Sequence, residues 1–496
     1  MFENKHVLEL LERYRVLWAL NHASSLMGWD SETYMPRDGV GERSIAIAEL
    51  SLLSRRILLE SLAPLVERLV GVEGLNDFER GVVRVLWREV ERLRRIPESI
   101  QYELAKLRSE APVVWREARE RDDFEKFEPY LSRIVELKRQ VAELLGYDEH
   151  PYDALLDYYE EGLRDRDVRG MFSTLTPSIR KVLEKVVAEG YYPRGHVLES
   201  VEYRREAMEG VNRDVLNVLG FPWSRGRLDV SAHPFTVGVA LSDVRITTRY
   251  EGVDFRRSLF AVIHEFGHAL YDLQVDERLK MTPLARGASL GVHESQSRFW
   301  ENLVGRSLAF TELLKPILDE RLGFTRDYSV EELYKYFNVV RPSLIRVDAD
   351  EVTYNLHIYL RYELERMLVA GEVKVHDLPE LWNEYMDKLL GVKPRSYREG
   401  VLQDIHWSLT AIGYFPTYTI GNILAAQLKN RLEVEVDKLE NLVSGRRFEV
   451  VREYLREKIH RWGATYPPKD LVVRALGEPI NPTYFIEYIE GKYTRI

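Results

Sequence analysis

The sequence predicts a mostly α-helical protein that contains one small β-sheet. Apolar residues recur at three- and four-residue spacings through most of the 496 residues, with Glu and Arg on the opposite faces. One region breaks this pattern, because residues 229–250 are rich in Val, Thr, Ile and Ser and polarity alternates over residues 244–250. No linker separates independent segments. We therefore expect a single domain over residues 1–496, either as one large helical body or as two lobes around a groove.

Helical stretches and turn-forming segments alternate along the chain. Gly- or Pro-containing segments separate the stretches with helical periodicity, which are residues 7–29, 80–106, 127–145, 331–339, 352–370, 378–390 and 421–443. The region 229–250 predicts two or three short strands. An apolar, helix-like run from Ser258 to Leu273 follows, and we expect the sheet to lie beside this helix.

Composition limits the class of protein to which this chain can belong. The net charge of −10 argues against a nucleic-acid partner, and no apolar stretch approaches the ~18 residues of a membrane span. The absence of cysteine excludes disulfides. Charged residues begin at the N-terminus without a signal-peptide core. We therefore expect a cytoplasmic protein, and dense Arg and Glu without Cys is also compatible with thermostability.

The helix-like run contains the most informative motif, His264-Glu265-Phe266-Gly267-His268. Two His four residues apart lie on one helical face, where both can ligate one metal ion. Glu265 can then accept a proton from the water that the metal activates. Asp272, one turn further on, can orient a ligand imidazole or be an exposed acid. The motif is typical of zinc peptidases, although a helix can also carry two His for packing reasons.

A third ligand is available in the downstream segment that begins at His293-Glu294. The connection at residues 281–291 contains Gly and Pro and would return the chain antiparallel to the first helix. Glu294 would then lie in the first turn of the next helix. Two His and one Glu leave a fourth position on zinc for water. We favour Glu294 over Glu301 as the ligand; the alternative is that Glu294 only interacts with the helix dipole.

Four other short motifs surround these residues in a fixed order. They are His233-Pro234-Phe235, DVRIT at 243–247, IRVDAD at 345–350 and GVLQDIHW at 400–407. Together with HEFGH and HESQ, the set resembles the thermostable metallocarboxypeptidase family of the carboxypeptidase Taq type. The patterns of that family are HPF, DxRxT, HExxH, HESQ or HEGQ, IRxxAD and GxxQDxHW. All six patterns occur here without a gap.

The resemblance implies a zinc-dependent carboxypeptidase that removes C-terminal amino acids one at a time from peptides. It implies a mostly helical fold with a deep substrate groove, similar to the neurolysin and angiotensin-converting-enzyme class. It also implies a homodimer and tolerance of cobalt in the metal site. The metal ligands would be His264, His268 and Glu294, with Glu265 as the general base.

A carboxypeptidase must bind a free carboxylate, for which the guanidinium fork of Arg is well suited. Arg346 in IRxxAD and Arg245 in DxRxT are the candidates. Either one can instead form a structural ion pair with an acid of its own motif. His233 in HPF is expected to shape the groove or to contact the substrate.

Side chains near the C-terminal motif are candidates for stabilising the oxyanion. His406 can donate to the developing charge, with Asp404 or Gln403 fixing it; the alternative is a buried structural His. In related helical peptidases a Tyr supplies a second donor, which makes Tyr418 or Tyr414 a candidate. Either Tyr can also be purely structural.

The sequence thus predicts a metallocarboxypeptidase of broad specificity, with two alternatives. A metallo-oligopeptidase would cut internal bonds and would have no Arg that binds the terminal carboxylate. A peptide-binding protein would hold a structural metal without activity, but the open coordination set and the intact Glu265 argue against it.

Overall fold

Helices form most of the chain, and the prediction of a mostly α fold is confirmed. The computed structural model describes residues 1–494. Its first ten α-helices are α1 (Lys5–Thr33), α2 (Val40–Arg56), α3 (Ala63–Leu69), α4 (Asp77–Arg95), α5 (Glu98–Arg121), α6 (Phe124–Leu145), α7 (Tyr152–Tyr159), α8 (Asp165–Glu189), α9 (Arg205–Leu219) and α10 (Phe255–Gln274). The later helices are α11 (Leu290–Arg298), α12 (Leu308–Arg321), α13 (Val330–Phe337), α14 (Tyr354–Ala370), α15 (Leu378–Leu390), α16 (Pro416–Glu435), α17 (Leu439–Ser444), α18 (Phe448–Lys458), α19 (Pro468–Leu476) and α20 (Thr483–Tyr493).

Two of the predicted helical stretches are each divided between two helices. The stretch 80–106 breaks between α4 and α5, because Pro97 disfavours the helical conformation of the residue before it. The stretch 421–443 breaks between α16 and α17. There the Asp437 carboxylate accepts hydrogen bonds from the Lys438 N–H and from the Asn441 side chain, which compete with helical pairing.

The sheet has three strands and lies beside α10, as predicted. The strands are β1 (Gly226–Val230), β2 (Thr236–Ala240) and β3 (Asp243–Thr248), in the spatial order β1-β3-β2. β1 runs parallel to β3, and β2 runs antiparallel to it. Val244 and Ile246 of the central strand are fully buried, and β3 packs against α10. The first strand begins at Gly226, three residues before the predicted region.

The described residues divide into two units, each formed by three separate segments. The first unit contains Met1–Glu91, Val197–Phe337 and Leu428–Pro479, and therefore the sheet, α10 and α11. The second contains Arg92–His196, Asn338–Gln427 and the chain from Ile480 onward. Among the described helices, none combines the length and apolarity needed to cross a bilayer.

A close approach of two helices in the first unit positions the metal motif. A Cβ atom on Gly267 would lie 2.5 Å from the Gln296 carbonyl oxygen and 2.6 Å from the Ser297 Cα. Because such distances are shorter than any van der Waals contact, only glycine lets α10 and α11 pack this closely. The same contact brings the side chains of α11 beside the two His of α10.

In the second unit, α14 is the central helix. It packs against α6, α7, α8 and α15, and most of its residues are buried. Two charged side chains of α14, Arg361 and Glu365, are also fully buried. A buried charge requires a partner or several hydrogen bonds, so these two residues indicate built polar sites inside the unit.

Candidate metal centre

The two His of α10 meet Glu294 of α11. The Nε2 atoms of His264 and His268 lie 3.7 and 3.4 Å from Glu294 Oε2. The three ligand atoms lie within 4.8 Å of one another. Donor atoms about 2.1 Å from zinc at tetrahedral angles would be about 3.4 Å apart, so the set fits one zinc ion. Glu294 lies in the second turn of α11 rather than in the predicted first turn, because the helix begins at Leu290.

Glu294 is an anion despite its burial. Its exposed fraction is 6%, and Arg298 Nε donates to its Oε1 at 2.7 Å. Burial alone would raise the pKa of Glu294, but the Arg298 guanidinium and the two imidazoles hold that pKa well below its usual range. A buried negative charge that faces two imidazole nitrogens is suited to a cation.

Glu301 is placed to orient a metal ligand rather than to bind the metal. Its Oε2 lies 2.9 Å from His264 Nδ1, and its carboxylate also accepts from Arg298 and Arg306. If His264 binds the metal through Nε2, its Nδ1–H donates to Glu301. That bond fixes the plane of the imidazole ring and its tautomer.

His268 is supported through a second histidine. Its Nδ1 lies 2.8 Å from His293 Nδ1, and His293 Nε2 lies 3.1 Å from Asp272 Oδ1. If His268 binds the metal through Nε2, its Nδ1–H donates to His293 Nδ1. His293 must then carry its own proton on Nε2, which donates to Asp272. Asp272 is therefore connected to the metal ligand His268 by a chain of two hydrogen bonds through His293.

The motif glutamate is held by the sheet. Glu265 is 6% exposed, and Thr236 Oγ1 of β2 donates to its Oε2 at 2.6 Å. The same hydroxyl lies 3.1 Å from the Glu265 carbonyl oxygen. An edge strand of the sheet thus fixes the carboxylate next to the metal ligands.

Arg346 is buried in the second unit and belongs to an ion cluster. Its Nε donates to Asp404 Oδ1 at 2.8 Å, and its second guanidinium nitrogen donates to the Tyr354 hydroxyl at 3.1 Å. Asp404 Oδ2 accepts from Arg361 Nε at 2.6 Å. Arg346 therefore forms its ion pair with Asp404 of the GxxQDxHW motif. The alternative, an ion pair with an acid of the IRxxAD motif, is not what the structure shows.

Arg245 and His233 lie in the first unit. Arg245 donates to both carboxylate oxygens of Asp243, at 2.9 and 2.8 Å, which is the structural ion pair considered from the sequence. Its guanidinium lies 4.2 Å from the centre of the Trp29 ring. His233 is exposed in the connection between β1 and β2. A role in substrate binding stays a prediction for both residues.

His406 and Tyr418 form a hydrogen-bonded pair. The distance between His406 Nε2 and the Tyr418 hydroxyl is 3.1 Å. Burial first, and then the positive charge of Arg346, lower the pKa of His406 to about 3, so the imidazole is neutral at physiological pH. The Tyr414 ring packs against both rings with centroid distances of 5.3 Å, tilted relative to His406 and edge-on to Tyr418. The structure thus brings the three predicted aromatic candidates together.

Comparison with known proteins identifies the family. The model of the carboxypeptidase Taq (M32) metallopeptidase family matches residues 9–493. The chain belongs to this family. It is therefore a metallocarboxypeptidase, a hydrolase that acts on peptide bonds, and the resemblance carried by the six motifs is confirmed.

Relatives match this family member over its whole length. The chain is 52% identical over 495 residues to thermostable carboxypeptidase 1 of Pyrococcus furiosus, covering 99% of both chains. It is 40% identical over 501 residues to thermostable carboxypeptidase 1 of Thermus thermophilus, covering 98% of both. A solved structure of the P. furiosus carboxypeptidase superposes with a TM-score of 0.98 at 52% identity and 99% coverage of each chain. Metallocarboxypeptidase 1 of Trypanosoma cruzi superposes with a TM-score of 0.94 at 34% identity, covering 99% of this chain and 100% of that one.

The prediction that Asp404 or Gln403 fixes His406 is wrong for this carboxypeptidase. Asp404 lies between the guanidinium groups of Arg346 and Arg361, and Gln403 Oε1 accepts from the Arg346 N–H and from Arg361. A carboxylate buried between two cations is stabilised far more than one beside a neutral imidazole. The Tyr418 hydroxyl is the partner of His406 instead.

Sequence reasoning did not identify three residues that support the metal site of this carboxypeptidase: Thr236, His293 and Arg298. Thr236 follows directly after the HPF motif, and His293 and Arg298 flank Glu294 at one residue before and four residues after it. Because Arg298 lies one helical turn after Glu294, the sequence could have indicated that its guanidinium contacts this ligand. No comparable signal pairs Thr236 or His293 with α10, because those contacts depend on packing between elements.

We expect His293→Phe to weaken metal binding, tested with zinc, by about ten- to hundredfold, because His268 loses the acceptor that fixes its tautomer. The dissociation constant can be measured by competition with a chromophoric chelator. The matched control is His376→Phe, which replaces an exposed His of the second unit and should leave zinc affinity unchanged. Wild-type affinity in His293→Phe would show that His293 does not orient the ligand.

Proposed function

We propose that this protein is a zinc-dependent carboxypeptidase that removes C-terminal amino acids one at a time with broad specificity. The observation that carries the proposal is the spacing of His264, His268 and the anionic Glu294, which fits one zinc ion beside the Glu265 carboxylate. A site of two imidazoles and one carboxylate also accepts cobalt, so we propose zinc as the resident metal with cobalt as an active substitute.

The three ligands would hold zinc, which when bound supplies Lewis acidity toward the scissile carbonyl and the attacking water. Glu265 accepts the proton of that water and then transfers it to the leaving amine. Thr236 donates to Glu265 Oε2, so Oε1 is the carboxylate oxygen without this donor and the one better suited to take the proton. The Thr236 bond also keeps the carboxylate in a fixed orientation for both transfers.

Arg346 is proposed to bind the terminal carboxylate of the substrate. The cluster of Arg346, Arg361 and Asp404 contains two guanidinium groups and one carboxylate, which leaves one positive charge. The neighbouring His406 is neutral and does not change this balance. Arg361 is fully buried, whereas Arg346 is 7% exposed and is the more accessible of the two. The excess charge suits one carboxylate, bound through the guanidinium fork.

Arg245 and His233 are proposed to make secondary substrate contacts. The charge of Arg245 is already balanced by Asp243, so Arg245 is the weaker candidate for the terminal carboxylate. Its planar guanidinium, stacked on Trp29, can contact the peptide backbone instead. His233 is exposed and able to approach a peptide.

His406 and Tyr418 are proposed to stabilise the oxyanion. A neutral His406 donates through Nε2–H to the Tyr418 oxygen, and this bond strengthens the hydroxyl as a donor to the developing negative charge. Because burial and the charge of Arg346 lower the pKa of His406 to about 3, the imidazole is neutral when it makes this hydrogen bond.

The broader features of the enzyme rest on family membership. We propose one catalytic domain over residues 1–496, a cytoplasmic location, a homodimer and thermostability; two relatives carry the word thermostable in their names. Light scattering coupled to size exclusion separates a monomer from a dimer.

We expect amidation of the substrate C-terminus to lower kcat/KM by at least about a hundredfold, because Arg346 loses its anionic partner. The assay is release of the last amino acid from an N-terminally blocked dipeptide and from its amide, with zinc, with cobalt and with chelator. Cleavage of internal bonds regardless of amidation would indicate an oligopeptidase. A zinc-loaded protein without cleavage would indicate a peptide-binding protein.

A further inference from the structure

We propose that Glu365 is a positioning residue, whose buried carboxylate holds both ends of the segment 407–413 and thereby fixes His406 and Tyr418. This inference rests on the proposed function, in which those two side chains stabilise the oxyanion. Glu365 lies outside all six family motifs and has no contact role in the mechanism above.

The carboxylate of Glu365 accepts three hydrogen bonds inside the second unit. Oε1 accepts from the Trp407 indole N–H at 2.8 Å. Oε2 accepts from the Gly413 backbone N–H at 2.8 Å and from the Tyr152 hydroxyl at 2.6 Å. Glu365 is fully buried on α14, so water does not compete for these bonds.

The segment between Trp407 and Gly413 is neither helix nor strand, and its own backbone hydrogen bonds are short-range turn bonds, such as the one from the Thr410 N–H to the Trp407 carbonyl oxygen. Thr410 has a φ of 61°, and Gly413 has a φ of 96°, both in the left-handed region. A Cβ on Gly413 would lie 2.7 Å from the Leu155 carbonyl oxygen. A backbone of this kind persists only when its surroundings hold it in place.

Both ends of this segment adjoin residues that the mechanism uses. Trp407 directly follows His406, and Gly413 lies three residues before Pro416, where α16 begins; the first turn of this helix contains Tyr418. One carboxylate therefore fixes both ends of the segment that connects His406 to the helix of Tyr418. A shift at either end would change the geometry of their hydrogen bond, which is 3.1 Å long.

The bonding pattern suits the ionised carboxylate, which offers only acceptors to its three donors. In the protonated form one carboxyl oxygen carries a hydrogen, and among the three partners only the Tyr152 hydroxyl oxygen could accept it. Burial raises the pKa of Glu365 to about 7, against the opposing effect of these donors and of Lys138. Glutamine would have the same volume at a smaller cost of burial but only one acceptor oxygen, so it cannot satisfy both donors of the segment.

The experiment compares Glu365→Gln with the wild-type enzyme loaded with zinc. We expect faster amide hydrogen exchange in residues 407–413, because the amide group of Gln cannot accept from both segment donors. We expect kcat to fall by about ten- to hundredfold with KM unchanged within about twofold, because oxyanion donors misplaced by less than 1 Å act mainly on the transition state. Zinc content should not change, because its ligands lie on α10 and α11.

Three further variants separate positioning from simple stability. Tyr152→Phe removes a bond to the same carboxylate without touching the segment, and it should keep kcat within about twofold. Glu363→Gln neutralises another acid of α14 and should leave both readouts unchanged. Trp407→Phe removes one segment bond and serves if Glu365→Gln does not fold; it should also lower kcat.

Each outcome decides the inference. Faster exchange with unchanged kcat overturns the positioning role, and unchanged exchange overturns the anchoring of the segment. An equal loss of kcat in Tyr152→Phe would show that Glu365 only stabilises the unit. If the wild-type enzyme released no amino acid, the proposed function would fail. Amide hydrogen exchange would then still test whether Glu365 anchors residues 407–413.

Discussion

Glu265→Gln is expected to lower kcat by about a thousandfold while the protein still binds zinc. Glutamine keeps the shape of the side chain and can still accept the 2.6 Å hydrogen bond from Thr236 Oγ1. It cannot accept the proton of the attacking water, so the loss falls on the chemical step. Because Glu265 is not one of the three ligands, the zinc set of His264, His268 and Glu294 stays complete.

The measurement is kcat for release of the C-terminal residue, together with the zinc content of the same sample. Thr236→Val is the matched control, since it leaves the base intact but removes the bond that orients it. We expect a smaller loss for this variant, about tenfold. Full activity in Glu265→Gln would show that the assignment of the base is wrong. A loss of zinc would move the effect from proton transfer to metal binding.

The features that sequence alone predicted are those set by near neighbours along the chain. His264 and His268 share a helical face because they are four residues apart, and that spacing needs no tertiary contact. The strands were predictable because their region is rich in β-branched residues and because apolar and polar side chains alternate from Val244 to Thr247. Helix ends were less predictable where side chains compete with the backbone for hydrogen bonds. At the end of α16, for example, the Asp437 carboxylate accepts hydrogen bonds that take the place of helical ones.

The features that sequence did not predict are pairings between distant residues. Whether Asp404 pairs with His406 or with an Arg depends on the distance between α14 and the segment that follows Gly400. His293 became the partner of His268 only because Gly267 allows α10 and α11 to approach closely. The buried Glu365 had a weaker signal: it lies four residues after Arg361, so the two opposite charges share one face of the predicted helix.

Asp404→Asn is expected to lower the free energy of unfolding by about 3–5 kcal/mol at pH 7. The substitution removes the carboxylate that Arg346 and Arg361 share, and both buried guanidinium groups lose this anion. Chemical denaturation followed by circular dichroism measures the change. Asp387→Asn, which replaces a half-exposed acid of the same unit, is the control and should change the free energy by about 0.5 kcal/mol or less.

The size of this effect should depend on pH in a defined direction. Burial alone would raise the pKa of Asp404, but the charges of Arg346 and Arg361 outweigh it and hold that pKa below its usual range. A carboxylate with a lower pKa in the folded state stabilises the protein above its unfolded pKa of about 3.9, and this stabilisation is lost as the pH falls further. The gap between wild type and Asp404→Asn should therefore narrow below about pH 4. A gap that stayed constant from pH 7 to pH 3, or one below about 1 kcal/mol at pH 7, would show that the ion cluster does not stabilise the fold.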